Sequence, residues 1–427
     1  MNILHVVQGY SPAVGGTEIQ VQRISEELAR QFGDLVTVFT SDCFNAGGFV
    51  NPRARRFPVG KEEINGVQVH RFRAFNLAGP VLKPLQWLAF RLGLPFNEYL
   101  RVWYSGPHLP GLRAAIQSWR GDVVAAASLP LLHIFTALDA AVQSGKPVVI
   151  AGSQHPEDRW GYDRPMIDRA IRRANAYIAM TGFEADYVIR RGADPERVSV
   201  IGNGVDPAAF EACAQAEGKA RLGLPVDAPL VGFIGQLGRL KGVDILIEAM
   251  PAVWEAFPEA RLLIAGASTS FRPKLEALVN SLTAGQRNRV IFKPDFPEAE
   301  KGMLIAALDV LAYPSGFESF GIAYLEAWAA GKPVIGCRRG AVPWVVEADV
   351  DGLLVGYQDQ GALAKAVISL LANPALARRL GEKGRQKVLE KYTWPVIARR
   401  FREVYARAAA EGPLRPGQSS RSQNQVQ

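Results

Sequence analysis

The chain has 427 residues, of which 48% are hydrophobic and 21% charged. This composition is that of an ordinary globular protein and excludes a disordered or low-complexity chain. At about 150 residues per domain, the length predicts two or three domains. The three cysteines (Cys43, Cys213 and Cys337) are odd in number and far apart, which excludes a disulfide scaffold and favours a reducing compartment.

The net charge of +8 is concentrated in one segment. Residues 51–120 carry 11 Lys and Arg against three acids, while the remaining residues are balanced. This distribution indicates an anionic partner for one face of the protein. We expect no nucleic-acid binding, because no recognised binding module accompanies the charge. The apolar segment after Met1 is too short for a signal peptide, so we expect a cytoplasmic protein.

In the first half of the chain, short apolar runs alternate with longer amphipathic stretches. Helices are predicted over 17–32 and 130–143. The uncharged run 123–138 is too short to span a membrane and is interpreted as a buried strand followed by a buried helix. Strand–helix alternation of this kind predicts a parallel sheet covered on both faces. The predicted strands are 3–8, 35–40, 67–72, 122–127, 147–151, 176–180 and 198–201.

The same pattern restarts after the polar segment 206–227, which we predict to be a linker. Two α/β halves of similar size joined there imply a cleft, since open parallel sheets bind ligands beyond the carboxyl ends of their strands. The last stretch, 412–427, has one apolar residue after Leu414 and is predicted to be disordered. The strands predicted in this half are 230–234, 261–265, 290–292, 310–313 and 334–336, and the helices are 243–257, 274–282, 299–306 and 322–330, followed by long helical segments from 361 to 411.

The first candidate motif is Gly15-Gly16-Thr17-Glu18, which follows the first predicted strand and opens the first helix. Two glycines allow the backbone to approach a ligand closely, and the helix N-terminus favours an anion such as a diphosphate. The alternative is a tight strand-to-helix turn without a ligand. The pattern is neither a dinucleotide fingerprint nor a P-loop.

The second motif runs from Gly235 to Gly242 (GQLGRLKG) and follows the first predicted strand of the second half. Its glycines and its two cations, Arg239 and Lys241, predict a phosphate cradle in which positive charge stabilises a leaving phosphate. The alternative is a solvated loop.

The third motif, residues 313–336, contains Glu318 and Glu326 separated by seven residues. Glu318 lies in the predicted loop before a helix, whose first N–H groups can bind an anion. Glu326 lies one to two turns into that helix among apolar residues, where a carboxylate requires a partner, and a ribose diol would suit it. The alternative is a charge at a helix N-terminus together with an ordinary buried ion pair.

With these motifs the sequence resembles the retaining, nucleotide-sugar-dependent glycosyltransferases of the GT-B fold, the glycosyl transferases group 1 family. The resemblance runs from Met1 to about Ala409 and includes the segments 201–206 and 351–355. It implies two Rossmann-like, doubly wound parallel-sheet domains facing a cleft. The acceptor-side domain is expected over 1–207 and the donor-binding domain over 208–395, with helix 396–411 packing back on the first.

The resemblance also implies roles for individual residues. Lys241 would bind the donor phosphates, Glu318 would lie beside the donor sugar, and Glu326 would bind the ribose. His155 would project towards the transferred sugar, although a histidine in a loop is more often simply solvated. The implied catalytic residues are Glu318, Lys241, His155 and Arg239, and the implied donor-binding residues are Gly15, Gly16, Gln236, Ser319, Phe320, Gly321, Ile322 and Glu326.

Three positions depart from the family pattern. Gln236 stands where Arg is frequent, Trp344 stands where Glu is usual, and the segment 292–295 lacks a glycine that is common after that strand. These differences bear on the donor rather than on the reaction class. We expect no metal site, since no cluster has metal-ligand spacing, and no cofactor besides the nucleotide-sugar co-substrate.

The predicted function is therefore transfer of a sugar, with retention, from a nucleoside-diphosphate sugar to a hydroxyl acceptor. The acceptor stays open between a lipid-linked glycan, a polysaccharide and a small molecule. Two other functions fit the same architecture: a non-transferring nucleotide-sugar enzyme such as an epimerase, and an inactive nucleotide-sugar-binding module.

The basic segment 51–120 lies in the half that the family uses for the acceptor, and it interleaves cations with large apolar residues. Such a composition predicts either docking on an anionic membrane surface or a core-packing helix pair whose cations extend to solvent. The cations are Lys83, Arg91 and Arg101, and the apolar residues are Leu82, Leu85, Trp87, Leu88, Phe90, Leu92, Leu94, Phe96, Leu100, Val102, Trp103 and Tyr104.

Overall fold

The computed structural model describes residues 1–414 except Val14, Pro52, residues 76–78, Pro95 and Ala212. The chain divides into two compact units. Unit 1 comprises residues 1–202 with the C-terminal segment from Trp394, and unit 2 comprises residues 203–393. The sequence-based limits, 207/208 and 395/396, fall a few residues later in both cases. The disorder predicted for 412–427 concerns residues that, from 415 onwards, lie outside the described part of the chain.

Unit 1 is built on an eight-stranded sheet whose strands are β1 (Asn2–Val6), β2 (Leu35–Ser41), β3 (Gly60–Ile64), β4 (Val67–Phe72), β5 (Val123–Ala127), β6 (Val148–Ala151), β7 (Ala176–Ala179) and β8 (Val198–Val200). Their order is β3-β4-β2-β1-β5-β6-β7-β8. Neighbouring strands are parallel except β3, which pairs antiparallel with β4 at the edge. Every residue of β5 is buried, as expected for a central strand covered on both faces.

Helices cover this sheet and connect its strands: α1 (Gly16–Phe32), α2 (Gly79–Arg91), α3 (Asn97–Ser105), α4 (Leu112–Ser118), α5 (Leu132–Gln143), α6 (Arg159–Tyr162), α7 (Pro165–Arg173) and α8 (Gly182–Arg190). The predicted buried strand and helix within 123–138 are confirmed as β5 and the start of α5. Helix α1 buries Val21, Ile24 and Leu28, which the 3.6-residue period places on one face.

Unit 2 repeats the arrangement with six parallel strands: β9 (Leu230–Ile234), β10 (Arg261–Gly266), β11 (Val290–Pro294), β12 (Val310–Tyr313), β13 (Val334–Cys337) and β14 (Gly352–Val355). Their order is β11-β10-β9-β12-β13-β14. The helices are α9 (Ala208–Glu211), α10 (Gln215–Arg221), α11 (Val243–Ala256), α12 (Arg272–Ser281), α13 (Ala284–Arg287), α14 (Lys301–Ala307), α15 (Ile322–Ala329), α16 (Val342–Val345), α17 (Gln360–Ala372) and α18 (Pro374–Lys391).

Each sheet reverses its winding direction at one place. In unit 1 the chain proceeds from β1 to β2 on one side and places β5 on the other side of β1. In unit 2, β10 and β12 lie on opposite sides of β9. The loops that follow strands at such a switch point separate and leave a crevice, which is where open α/β sheets bind ligands. The prediction of two doubly wound parallel α/β domains is confirmed.

The last helix, α19 (Trp394–Glu411), belongs to unit 1 and packs against α1 and the central strands. Its Arg402 contacts the buried carboxylate of Asp34 at 2.7 Å, and the N-terminal amino group of Met1 contacts the same carboxylate at 2.6 Å. His5 of β1 lies 3.1 Å from the hydroxyl of Tyr405. The helix is therefore an integral part of the first unit although it comes last in the sequence.

The prediction of a linker over 206–227 is wrong. This segment contains α9 and α10, and both pack against α14. Lys219 on α10 is buried and contacts Asp309 at 2.9 Å. Polar composition misled the prediction, because the lysine that looks solvated is neutralised by a distant carboxylate.

No helix among the described residues combines the length and the apolarity that crossing a bilayer requires.

Candidate active site

The switch point of unit 2 brings two of the sequence motifs together. The loop 235–242 follows β9, and the loop 314–321 follows its neighbour β12. The N–H of Gly316 donates to the carbonyl of Leu240 at 3.1 Å. Gly242 has a left-handed φ of 75°, and a Cβ there would lie 2.5 Å from the carbonyl oxygen of Pro314. Only glycine fits this close approach of the two loops.

An ion pair connects the two loops at this edge of the sheet. The ammonium nitrogen of Lys241 lies 2.6 Å from Oε1 of Glu318 and 3.3 Å from the carbonyl oxygen of Phe317. Lys241 keeps 20% of its side chain exposed and Glu318 10%. The pair is largely buried but Lys241 keeps some contact with solvent, so an anion that enters would meet a positioned cation.

The N-terminus of α15 follows Glu318 after a short loop, with Gly321 as the N-cap. Gly321 starts this helix with a left-handed φ of 101°, no side chain caps it, and its first turn contains no acid. A Cβ on Gly321 would lie 2.6 Å from the ring of Tyr324, which excludes other residues at this position. The uncapped N–H groups and the positive end of the helix favour an anion. Lys241 and the α15 N-terminus are therefore candidates for the two parts of one anion site.

Two buried tyrosines lie behind Glu318. The Tyr324 hydroxyl donates to the carbonyl of Tyr313 at 2.8 Å. Burial raises the pKa of both phenols well above their ordinary value, and the neighbouring carboxylate of Glu318 raises them further. Both phenols remain protonated at neutral pH, so they support Glu318 as neutral neighbours rather than as acids.

Glu326, predicted to bind a ribose, has an ion-pair partner within the protein. Its Oε1 lies 2.6 Å from the ammonium of Lys301 on α14, which also reaches Glu298 at 3.2 Å. Burial raises the pKa of Glu326 and Lys301 counteracts this. Burial lowers the pKa of Lys301, but Glu326 and Glu298 outweigh it, so the pKa of Lys301 is raised. The ribose contact stays a prediction, and Lys301 is a residue that the sequence gave no signal to find.

The other predicted residues of the loop 235–242, Gln236 and Arg239, both extend to solvent. Arg239 has no ion-pair partner among the residues that the structure describes. Trp344 is likewise exposed.

Asp295 lies in the segment that lacks the usual glycine and has a left-handed φ of 54°. Ser268 holds it there, because its N–H and its hydroxyl donate to the Asp295 carboxylate at 2.7 and 2.6 Å. Aspartate replaces glycine there because it tolerates this conformation with local hydrogen bonds.

The remaining predicted residues, Gly15, Gly16 and His155, belong to unit 1. Helix α1 begins at Gly16, beyond the carboxyl end of β1, and Gly15 has extended backbone. Glu18 lies in the first turn and folds over Gly15, since a Cβ on Gly15 would lie 2.3 Å from its carboxylate. This acid weakens the helix N-terminus as an anion site, because it already places negative charge there.

His155 lies in the loop between β6 and α6. A buried carboxylate holds the start of this loop. Glu184 on α8 accepts hydrogen bonds from the N–H of Gln154 at 2.8 Å, the hydroxyl of Tyr177 at 2.6 Å and the N–H of Met180 at 2.7 Å. Burial raises the pKa of Glu184 to about 7, and these hydrogen bonds limit the increase. Glu184 therefore positions the backbone next to His155.

Unit 1 also contains a cavity of about 490 Å³ at its switch point. Gln8 follows β1, Glu18 lies on α1, and the helical pair α2–α3 supplies Lys83, Tyr104 and Ser105. The amide oxygen of Gln8 is buried without a hydrogen-bond partner among the described residues. The remaining lining residues are Ala46, Phe49, Val50, Gly79 and Leu131.

Two buried arginines interact with Tyr104, one of the residues that line this cavity. Arg101 is 5% exposed, and its guanidinium lies 3.5 Å from the centre of the Trp160 ring. Arg164 is 6% exposed, and its Nε and Nη1 have no hydrogen-bond partner among the described residues. Burial lowers the pKa of Arg101 to about 10, and the neighbouring charge of Arg164 contributes. Burial also lowers the pKa of Arg164. The hydroxyl of Tyr104 opposes both decreases. The prediction that cations of this segment extend to solvent is wrong for Arg101.

A buried guanidinium with unpaired donors is costly, and a bound anion would supply the missing acceptors. The structure thus places two candidate anion sites at two switch points: Lys241 and α15 in unit 2, and Arg164 with Arg101 beside the cavity in unit 1. Sequence patterns pointed to the first through its glycines and cations. Nothing in the local sequence distinguishes Arg164 from a surface arginine.

Comparison with solved structures identifies the fold. The chain is similar to sucrose-phosphate synthase from Thermosynechococcus elongatus with a TM-score of 0.73 at 23% identity, covering 96% of this chain and 100% of the other. It is similar to HepE from Anabaena, solved with UDP and glucose, with a TM-score of 0.69 at 21% identity, covering 95% and 99%. The fold is that of the GT-B glycosyltransferases, as predicted.

Sequence comparison then identifies the family. Residues 15–204 match the model of the glycosyl transferase 4-like domain, and residues 214–387 match that of glycosyl transferases group 1. The chain is 31% identical over 421 residues to a D-inositol 3-phosphate glycosyltransferase of Xylanimonas cellulosilytica, and the match covers 94% of both chains. The chain belongs to the glycosyl transferases group 1 family, which confirms the resemblance to that family, and is a glycosyltransferase.

Proposed function

We propose that the protein transfers a sugar, with retention, from a nucleoside-diphosphate sugar to the hydroxyl of an acceptor that carries an anionic group. The observation that carries this proposal is the Lys241–Glu318 pair at the uncapped N-terminus of α15. The donor diphosphate takes the place nearest to Lys241 and the first N–H groups of α15. Glu318, three residues before the helix N-cap Gly321, then lies on the sugar side of the phosphates.

The chemical step uses these groups as fixed electrostatic stabilisers. The bond between the anomeric carbon and the diphosphate oxygen breaks, and negative charge develops on the phosphate next to Lys241. The acceptor oxygen bonds to the anomeric carbon on the same face, and its proton passes to the departing phosphate. No side chain forms a covalent bond with the sugar in this step. This fits a site with one cation and one helix N-terminus rather than a pair of facing carboxylates.

The anionic group of the acceptor is proposed from unit 1. Arg164 carries two buried nitrogens without acceptors, and Arg101 adds a second buried positive charge next to it. A phosphate would supply acceptors to the Arg164 guanidinium through charge-assisted hydrogen bonds, and the charge of Arg101 would add to the attraction. The relative from Xylanimonas is named for an acceptor of this kind, inositol 3-phosphate. The cavity of about 490 Å³ has the size of a small-molecule site.

We further propose that transfer needs no metal and takes place in the cytoplasm. In the described part of the chain, no three His, Cys, Asp or Glu side chains are grouped so that they could hold a metal ion. The three cysteines are free thiols, which suits a reducing compartment. Transfer rates that fall on treatment with EDTA and recover with Mg²⁺ would contradict the first point.

The donor site is tested by Lys241→Ala and Glu318→Gln, with Lys274→Ala and Glu255→Gln as exposed controls of the same unit. Removal of one positioned charge lowers kcat by about 10²- to 10³-fold. UDP and other nucleoside diphosphates are titrated in parallel by thermal shift, because a bound ligand stabilises the folded state. Near wild-type transfer by both site variants would refute the assignment. Isomerisation of the donor sugar in the absence of an acceptor would favour an epimerase. Binding of the nucleoside diphosphate without turnover would favour a binding module.

The acceptor site is tested by Arg164→Gln, with the exposed Arg173→Gln as control and Arg164→Lys as a charge-preserving variant. We expect the KM for phosphorylated acceptors such as inositol 3-phosphate to rise by at least ~10-fold in Arg164→Gln, since a charge-assisted contact is lost. The KM for the donor should stay unchanged. An equal loss with an unphosphorylated acceptor would show that Arg164 is structural and would remove the phosphate from the proposal.

A further inference from the structure

The helical pair α2–α3 exposes more apolar surface than any function described so far requires. Of the 23 large apolar side chains that are exposed in the described part of the chain, nine lie between residues 81 and 103. A folded protein in water rarely keeps such a contiguous set, and large exposed patches mark interaction sites. The nine are Val81, Leu85, Trp87, Leu88, Phe90, Leu92, Phe96, Tyr99 and Trp103.

Helix α2 is oriented opposite to the pattern of a surface helix. Its inward face presents Gln86 and Ala89, each 2% exposed, while Trp87, Leu88 and Phe90 point outward and are about half exposed. The amide nitrogen of the buried Gln86 has no hydrogen-bond partner among the described residues. A helix that keeps its apolar side chains outward at this cost has an apolar medium or partner as its outer neighbour.

Charge and aromatic content decide between the candidate partners. Helix α2 carries Lys83 and Arg91 and no acid, and Arg91 stacks on the Trp87 ring at 5.0 Å. The one acid of α3, Glu98, is neutralised by Arg169 at 2.8 Å. Trp and Tyr with interleaved Lys and Arg are the side chains that occupy the interface of an anionic bilayer.

A second copy of the chain is a poorer partner for this surface. Pairing two copies through α2–α3 would bring together two surfaces that each carry the exposed cations Lys83 and Arg91, while their one acid, Glu98, is already neutralised by Arg169. The resulting repulsion opposes self-association, whereas anionic lipid head groups attract the same charge.

We propose that the α2–α3 pair is a docking surface for an anionic lipid bilayer. The exposed apolar side chains enter the head-group region, and Arg91 contacts lipid phosphates. The same two helices supply Lys83, Tyr104 and Ser105 to the wall of the unit 1 cavity. Docking therefore places this cavity next to the lipid surface.

The test is co-sedimentation of the full chain with vesicles of phosphatidylglycerol and phosphatidylcholine in equal parts, against vesicles of phosphatidylcholine alone. We expect binding to the anionic vesicles that weakens as NaCl is added, because exposed charges are screened. The double variant Leu85→Gln with Leu88→Gln should reduce the partition coefficient at least ~10-fold, which corresponds to about 1.4 kcal/mol. The matched control is Leu35→Gln with Leu389→Gln, which removes two exposed leucines elsewhere.

The proposal is overturned by absence of vesicle binding at low salt, or by an equal loss in both double variants. It is also overturned if sedimentation velocity shows a dimer that Leu85→Gln with Leu88→Gln dissociates, because the surface would then join two copies. No donor or acceptor enters the vesicle assay, so its failure leaves the proposed transfer reaction untouched. Circular dichroism of both double variants verifies that the fold is retained.

Discussion

The buried carboxylate of Glu184 predicts a stability that falls as the pH rises. Its pKa is raised by burial from an ordinary value of 4.5 to about 7. Between these two values the folded state binds a proton that the unfolded state has released. The free energy of unfolding therefore decreases with pH in this window, and the contribution of the neutral carboxyl is fully present below 4.5 and lost as the pH passes through about 7. At 1.36 kcal/mol per unit the loss amounts to about 3 kcal/mol.

Glu184→Gln is the variant that isolates this effect. The amide stays neutral at every pH and matches the shape of the protonated carboxyl, and its oxygen can accept a hydrogen bond from the N–H of Met180 as the carboxylate of Glu184 does. We expect the variant to be less stable than, or equal to, the wild type at pH 5. Relative to the wild type it should gain about 2.5 kcal/mol between pH 5 and pH 8. The exposed Glu196→Gln should show no such gain.

Urea-induced unfolding followed by circular dichroism at pH 5 and pH 8 measures the difference. Parallel shifts of wild type and Glu184→Gln over this range would refute the reasoning, because they would mean that the carboxyl has the same proton affinity in both states. Since Glu184 holds the N–H of Gln154 next to His155, the variant also tests whether the loop position matters for transfer. A change in kcat that follows the same pH window would connect the two.

Two further perturbations follow from the geometry. Gly242→Ala should destabilise unit 2 by about 2 kcal/mol or more, because the left-handed φ and the close backbone contact both exclude a Cβ. Gly285→Ala, where a Cβ would meet open space, should leave the stability unchanged. Thermal unfolding of both variants measures the difference. Burial raises the pKa of Asp34, but hydrogen bonds from Arg402 and the N-terminus outweigh it and hold the pKa below its ordinary value. Arg402→Met should therefore lower the free energy of unfolding by about 1–3 kcal/mol at pH 7, and this variant should lose less stability than the wild type on acidification. Arg399→Met, at an exposed position, should behave like the wild type. Equal acid sensitivity of the wild type and both variants would contradict this.

Elements with a continuous apolar run could be predicted from the sequence. The strands β5, β9 and β12 are uninterrupted apolar segments in the sequence and are fully buried in the structure. The glycines and Lys241 of the loops after β9 and β12 are recognisable in the sequence because they directly follow these strands. Edge elements could not be found in this way. Strand β3 (GKEEI) has three consecutive charged residues and exists because it pairs with β4, and β14 was likewise missed.

Partners that are distant in sequence were beyond prediction. The Lys301–Glu326 pair joins two helices, and the spacing of the glutamates contains no information on the lysine. The outward apolar face of α2 was foreseen only as one of two alternatives, since composition does not tell which side chains a helix buries. Arg164 reads as a surface residue in the sequence, and only the packed structure shows that its guanidinium is enclosed.

The path of the chain through unit 2 has a consequence for engineering. Unit 2 is one uninterrupted segment, and its two ends are adjacent, since the N–H of Val205 donates to the carbonyl of Tyr392 at 2.8 Å and Val205 pairs with Thr393. It is therefore an insertion into unit 1, whose own chain resumes with α19. A segment with neighbouring ends can be excised or exchanged as a cassette with little loop-closure entropy. If unit 2 binds the donor as proposed, exchange of residues 203–393 between relatives should transfer donor preference, while α19 stays with unit 1, which it completes.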